Sequence, residues 1–245
     1  MSRWRRTCRP SGRAAAPCST AGPPKRHRRP PRPANSSACS GSGSPELVAY
    51  QDESYAAAYA EFVEGVRAAE DRAVPGSTQL SEAVARYLYK LMAYKDEYEV
   101  ARLCLDPAVE AGVAETFGPG SRISYRLHPP ALRALGMQRK IALGRWARPA
   151  FRALRAMRRL RGTRLDPFGR AHVRRVERAL IGEYRAATEA AIELLGPATH
   201  ETAVRLAELP DLVRGYEDVK LRNVERFRAA KGEILGELPA AGVRS

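Results

Sequence analysis

The sequence is poor in the residues that build reactive centres. Four cysteines occur in 245 residues, and none forms a CxxC pair. A zinc ribbon or a cysteine-ligated iron–sulfur cluster therefore lacks its ligand spacing. Cys8, Cys18 and Cys39 lie near the N-terminus, and Cys104 stands alone in the body. His128, His172 and His200 have no second histidine or carboxylate at the spacing of HExxH. Gly118-Pro119-Gly120 lacks the further glycine and the lysine of a phosphate-cradling loop, and GxSxG does not occur. No apolar run approaches the roughly 18 residues of a membrane-spanning helix, and no signal-peptide core opens the chain. A soluble protein of the reducing cytoplasm is the expectation.

Acid is missing in two places. Residues 1–44 hold nine arginines, Lys25 and no acid, so they supply +10 of the net +15. Arg, Pro, Ser, Ala and Gly account for 34 of those 44 residues, which leaves little apolar surface to offset the entropy lost on ordering. The segment reads as a disordered tail. RHRRPPR at 26–32 suits a nucleic-acid or membrane arm, while seven prolines oppose the amphipathic helix of a transit peptide. The composition fits best a non-native leader, translated from a misplaced start in GC-rich coding sequence. The remaining 32 bases face 27 acids, so the body carries only +5.

The second gap runs from Glu115 to Asp166, where thirteen bases occur without an acid. The rest of the body then sums to −8, so a basic insert at 116–165 is set in an acidic frame. Either the frame satisfies these arginines internally, or they form a surface for an anionic partner. The candidate residues for that surface are Arg139, Lys140, Arg145, Arg152, Arg155, Arg158 and Arg159. Arg152, Arg155, Arg158 and Arg159 lie largely opposite an apolar stripe, as an ordinary solvated helix face also would. The choice of arginine over lysine favours recognition, because the planar guanidinium fork fits carboxylate and phosphate.

Punctuation and period organise the body as mainly helical. Ser44-Pro45-Glu46 opens a helix whose Tyr55, Tyr59, Phe62, Val63 and Val66 share a face, and Val74-Pro75-Gly76-Ser77 ends it. The next helix is expected over 79–105. Val84, Tyr87, Leu88, Leu91, Tyr94, Tyr98, Ala101 and Leu105 form its stripe, and Lys95, Glu99 and Arg102 its salt-bridged outer side. Its tyrosines read as core, and Glu97 and Glu99 straddle the helix, a poor arrangement for an acid–base pair.

Asp106-Pro107 caps a shorter helix to Phe117. Ile123, Tyr125 and Leu127 alternate as a strand does, and Arg139–Leu143 is its candidate antiparallel partner. A helix over 149–160 follows, with Phe151, Leu154, Met157 and Leu160 inward. Asp166-Pro167 should open a long helix whose stripe runs from Val173 to Leu194. Thr199 should cap a short helix, and the last helix, after Gly215, carries Val219, Val224, Phe227, Ile234 and Leu238. The sum is a helical domain over 45–239 with a small β-hairpin-like insertion, and a tail at 240–245.

Four segments also carry a likeness. AVARYLYKLMAYKDEYEVARL at 83–103, RGTRLDPFG at 161–169, ERALIGEY at 177–184 and LPDLVRGYEDVKLRNV at 209–224 occur in order. Together they resemble the C-terminal region of fused-chain indolepyruvate ferredoxin oxidoreductases, and the likeness spans about 47–238. Enzymes of that family decarboxylate aryl 2-oxoacids oxidatively to acyl-CoA, using thiamine diphosphate and iron–sulfur clusters and reducing ferredoxin. The Gly-Asp-Gly diphosphate signature, the cysteine sets and the Rossmann-like stretches of the complete enzyme do not occur in this chain. No catalytic, cofactor-binding or metal residue carries over. The resemblance thus implies a non-catalytic accessory domain or fragment, with the cofactors held elsewhere. Its partners would be catalytic domains or subunits of the oxidoreductase and an acidic ferredoxin. A membrane is not an expected partner, and a basic helical nucleic-acid binder is the alternative reading.

Overall fold

A helix begins where its first free N–H groups find acceptors, and aspartate or proline positions set four of the starts. A computed structural model describes residues 45–118, 120–127 and 141–242. Helix α1 (Pro45–Tyr50) opens on its proline. Asp52 Oδ1 then accepts from Tyr55 N at 2.8 Å and starts α2 (Glu53–Ala73). The single helix expected from residue 45 is therefore two, divided at Asp52. Gly76, at φ +85°, turns the chain out of α2 in a conformation that side-chain-bearing residues rarely adopt.

The expected helix over 79–105 is likewise two helices, α3 (Gln79–Met92) and α4 (Glu97–Cys104). Side chains take the backbone groups that would have continued it. Tyr55 Oη donates to Met92 O at 3.1 Å, Tyr50 Oη donates to Tyr94 O at 3.0 Å, and Asp96 Oδ1 accepts from Glu99 N at 2.8 Å. Tyr94 and Tyr98 stay buried across the break, so the apolar period passes through it unchanged. Lys95 lies exposed in the break, and Glu99 turns to Arg102 instead, at 2.7 Å.

Asp106-Pro107 starts α5 (Pro107–Phe117) as its composition suggests, with Asp106 Oδ1 accepting from Ala108 N. Strands β1 (Tyr125–Leu127) and β2 (Ile141–Leu143) pair antiparallel, Tyr125 opposite Leu143. Helix α6 (Arg148–Ala156) follows and tightens into a 3₁₀ turn at Met157–Leu160. The second Asp-Pro pair behaves differently from the first. Asp166 is buried in a turn, and α7 (His172–Glu193) begins six residues later. Thr199 precedes α8 (His200–Glu208), but its hydroxyl reaches back to Leu194 O at 2.7 Å and does not cap the new helix. A 3₁₀ turn at Leu209–Leu212 leads to α9 (Glu217–Gly242). The tail at 1–44 and the link between the strands lie outside the described residues.

Helix α3 is central: α2, α7 and α8 pack on it, and α9 closes over α7 and α8. Its Leu80, Val84 and Leu88 join Val66, Leu180, Tyr184, Leu206, Phe227 and Leu238 in one large apolar cluster. A smaller cluster joins α4, α6 and the hairpin through Ala101, Cys104, Ala147 and Phe151. Among the described residues no helix is long and apolar enough to cross a membrane.

At the start of α3 Thr78 makes no side-chain cap, and the local bond there, from Gln79 N to Ser77 Oγ, is long at 3.5 Å. Glu70, fully buried in the last turn of α2, supplies the stronger cap from outside: its carboxylate accepts from Leu80 N and Ser81 N, each at 2.9 Å. Ser77 Oγ donates to the same group at 2.9 Å, and His200 Nε2 lies 2.8 Å away. Serine and glutamate both meet the same ring nitrogen, so this trio lacks the two-nitrogen relay of a nucleophilic triad. Burial alone would raise the Glu70 pKa, but the bonds from His200, Leu80 and Ser81 outweigh it and hold it at about 2.

A carboxylate lowered from 4.5 to about 2 contributes its full stability above pH 4.5 and loses it as pH falls towards 2. Glu70→Gln should accordingly cost about 1–3 kcal/mol at pH 7. The gap between variant and wild type should narrow in denaturant titrations below pH 4.5. A gap that stays constant down to pH 2.5 contradicts this role.

Candidate functional site

The two apolar clusters are joined by a polar seam. Asp96, at the break between α3 and α4, faces Arg161, in the turn after α6. Their side chains are each only 4% exposed. Arg161 Nε donates to Asp96 Oδ2 at 2.5 Å, Nη2 to Oδ1 at 3.0 Å, and Nη1 to Tyr50 O at 2.6 Å. The guanidinium also lies 3.7 Å from the centroid of the Tyr50 ring. Burial opposes its charge, but the Asp96 hydrogen bonds overcome that and raise the Arg161 pKa. Burial, reinforced by the Asp96 charge, pushes the Tyr50 phenol well above its ordinary range.

Asp166 forms the second half of the seam. Its carboxylate accepts from Tyr98 Oη at 2.9 Å, Gly162 N at 2.9 Å and Phe168 N at 3.1 Å. Burial raises its pKa, yet these bonds carry the net shift downward. Gly162 holds φ +75° at the corner. At Gly169 an added Cβ would fall 2.7 Å from Asp166 Cγ, so this turn admits no larger residue without moving the carboxylate.

Above the seam opens a cleft of about 300 Å³ between the α1–α2 corner and α7. Tyr55, Tyr94, Arg161, Arg178, Gly182 and Arg185 line it, and none of its described lining residues is an acid. Arg178 Nη2 donates to Gly169 O at 2.6 Å, while its Nη1 stays 3.9 Å from Asp166 Oδ2. The Arg185 guanidinium lies 4.6 Å from the centroid of the Phe62 ring and makes no ion pair among the described residues. The cleft thus has one neutralised guanidinium at its floor and two less satisfied ones on its wall.

The basic insert splits between the two roles open to it. Arg161 is satisfied internally, Arg148 pairs with Glu110, and Arg158 Nε donates to Gln51 O at 3.2 Å beside the cleft. Arg145, Arg152, Arg155 and Arg159 are exposed. Arg139 and Lys140 lie outside the described residues. Sequence reading missed Arg178 and Arg185. Their signal was the i, i+3, i+4, i+7 spacing of Arg178, Ile181, Gly182 and Arg185, a second face of α7 beside its apolar stripe.

Other charged groups are structural. Arg174 donates to Glu177 at 2.7 Å and to Glu97 at 3.3 Å, and Lys220 pairs with Glu177, tying α4, α7 and α9 together. Cys104 is buried, and burial pushes its thiol pKa up, away from the reactive thiolate. Among the described residues no group of three or more His, Cys, Asp or Glu is placed to hold a metal.

The seam makes two substitutions informative. Tyr98→Phe removes one of the bonds to Asp166 and should cost about 1–2 kcal/mol. Gly169→Ala forces a methyl into that carboxylate and should cost about 1–3 kcal/mol. Because both act on Asp166, the double variant measured by chemical denaturation should lose less than the sum; strict additivity would show that the turn is not one unit.

No curated protein and no solved structure matches the chain significantly. Residues 41–233 match the model of a family of unknown function, DUF6537, and the chain belongs to that family.

Proposed function

We propose that the chain is a non-catalytic accessory domain of an indolepyruvate ferredoxin oxidoreductase-like assembly, acting in the cytoplasm. Catalytic domains on other chains or in a longer protein would carry the thiamine diphosphate and the iron–sulfur clusters. The observation that supports this reading is how the four resembling segments meet. Asp96 and Tyr98 of the first bond Arg161 and Asp166 of the second. Glu177 of the third pairs with Lys220 of the fourth. Lys90 of the first donates to Pro210 O of the fourth at 2.9 Å. Residues that carry the likeness are thus the ones that interlock the domain, and they would do so equally in a larger protein.

The exposed face of α6 suits the partner side of the reading. Arg152, Arg155 and Arg159 are solvent-facing guanidiniums in a stretch without acids, complementary to an acidic electron carrier. Arg158 is better left out of a test, since it also holds the α1–α2 corner.

Replacing Arg152, Arg155 and Arg159 together by Gln should slow ferredoxin reduction in a complex reconstituted with the catalytic domains. The deficit should be several-fold at low salt and shrink at high salt, as a screened surface interaction requires. Unchanged coupling would remove the ferredoxin role. Salt-steep binding of duplex DNA by the chain lacking residues 1–44 would favour the nucleic-acid reading instead.

A further inference from the structure

We propose that the cleft between the α1–α2 corner and α7 binds a compact oxyanion, a phosphate or carboxylate group, against Arg178 and Arg185. This inference stands on the cleft alone and does not depend on the oxidoreductase reading.

Three features of the cleft carry it. The first is charge that the fold does not consume. Three guanidiniums line the cleft, and none of its described lining residues is an acid; Asp52 at the corner is spent on Tyr55 N and Ser54 Oγ. Asp96 is spent on Arg161 through two hydrogen bonds. Asp166 is spent mainly on Tyr98 Oη, Gly162 N and Phe168 N, and makes only a long ion pair, 3.9 Å, with Arg178. Among the described residues Arg185 meets the Phe62 ring and no acid. An arginine presents five N–H donors in a fixed fork, so a wall of this kind has donors left for a ligand.

The second feature is pre-organisation. Arg161 is clamped by Asp96 and Tyr50, and Arg178 by Gly169 O, so two of the three cations are fixed before any ligand arrives. A site held this way loses less side-chain entropy on binding than flexible surface arginines would.

The third is space. About 300 Å³ is at the lower end of small-molecule sites and admits a compact anion. Gly182 lies in the middle of α7, where glycine is less stable than alanine by about 1 kcal/mol. A Cβ there would meet nothing within 4 Å, so packing does not call for the glycine. It leaves the wall open between Arg178 and Arg185, one helical turn to either side.

The test is calorimetric titration of the full chain at low ionic strength with two probes, inorganic pyrophosphate and malonate. The probe that binds more tightly tells phosphate from carboxylate. Binding in the millimolar range or tighter is expected for at least one. Arg185→Gln, which removes the least satisfied fork, and Gly182→Leu, which fills the wall, should each weaken it by about tenfold or more. Arg152→Gln, away from the cleft on α6, should leave it unchanged.

Thermal melts of each variant check the fold. Arg185 has no ion pair among the described residues and Gly182 faces open space, so both variants should melt near wild type. The proposal is overturned if neither probe binds, if Arg185→Gln binds as wild type does, or if Arg152→Gln loses as much affinity as Arg185→Gln. That last result would mean diffuse attraction to a basic surface.

Discussion

Taking a carboxylate and a guanidinium out of water costs several kcal/mol per ion, and the cost is met only where geometry is good and the other donors and lone pairs are satisfied. Asp96 and Arg161 meet that condition. Their two hydrogen bonds, the Glu99 N bond to Asp96 and the Tyr50 carbonyl bond to Arg161 leave little of either group unpaired. The pair fixes where α3 stops and α4 starts. It also ties the turn after α6 to the α1–α2 corner, and so joins the hairpin cluster to the main helical one. Cutting either ion away would leave its partner charged and dry, which is why the rest of the fold depends on the pair.

Much of the helical architecture was legible because apolar spacing and breaker residues report directly on burial. The strand around Tyr125 follows from alternation, which left its register with Leu143 to the fold, and the ends at Gly76, Phe117 and Gly162 follow from the glycines at 76, 118 and 162. The break at residues 93–96 was not legible. Tyr94 and Tyr98 keep the helical period while the backbone abandons it, and the groups that interrupt it, Tyr50, Tyr55 and Arg161, are distant in sequence. The two Asp-Pro pairs make the same point. Asp106 caps a helix because its neighbours are free to wind, whereas Asp166 is drawn into the core by Tyr98 and Gly162. Local chemistry allows both outcomes, and tertiary partners decide between them.

The candidate site was legible in part for the same reason. An acid-free run of arginines can be seen in one dimension, but which arginines are satisfied cannot. Arg161 belonged to that run and is its most deeply buried cation among the described residues, while Arg152, Arg155 and Arg159 remain outside. Arg178 and Arg185 stand beyond the run, in a part of the sequence that also holds acids, so their placement around one cleft needed the fold. The molecule thus separates two kinds of positive charge: an exposed face beginning on α6 and the wall of a half-open cleft on α7. The first suits a protein partner and the second a small anion.

The most direct test of this account is a double-mutant cycle on Asp96→Asn and Arg161→Leu, read by chemical denaturation. Each single change should cost about 3–5 kcal/mol, because it strands the other charge. The double variant should cost less than the sum of the two by about 2–3 kcal/mol. Additive losses, with a coupling below about 0.5 kcal/mol, would show that the pair does not organise the break, and the account would fail.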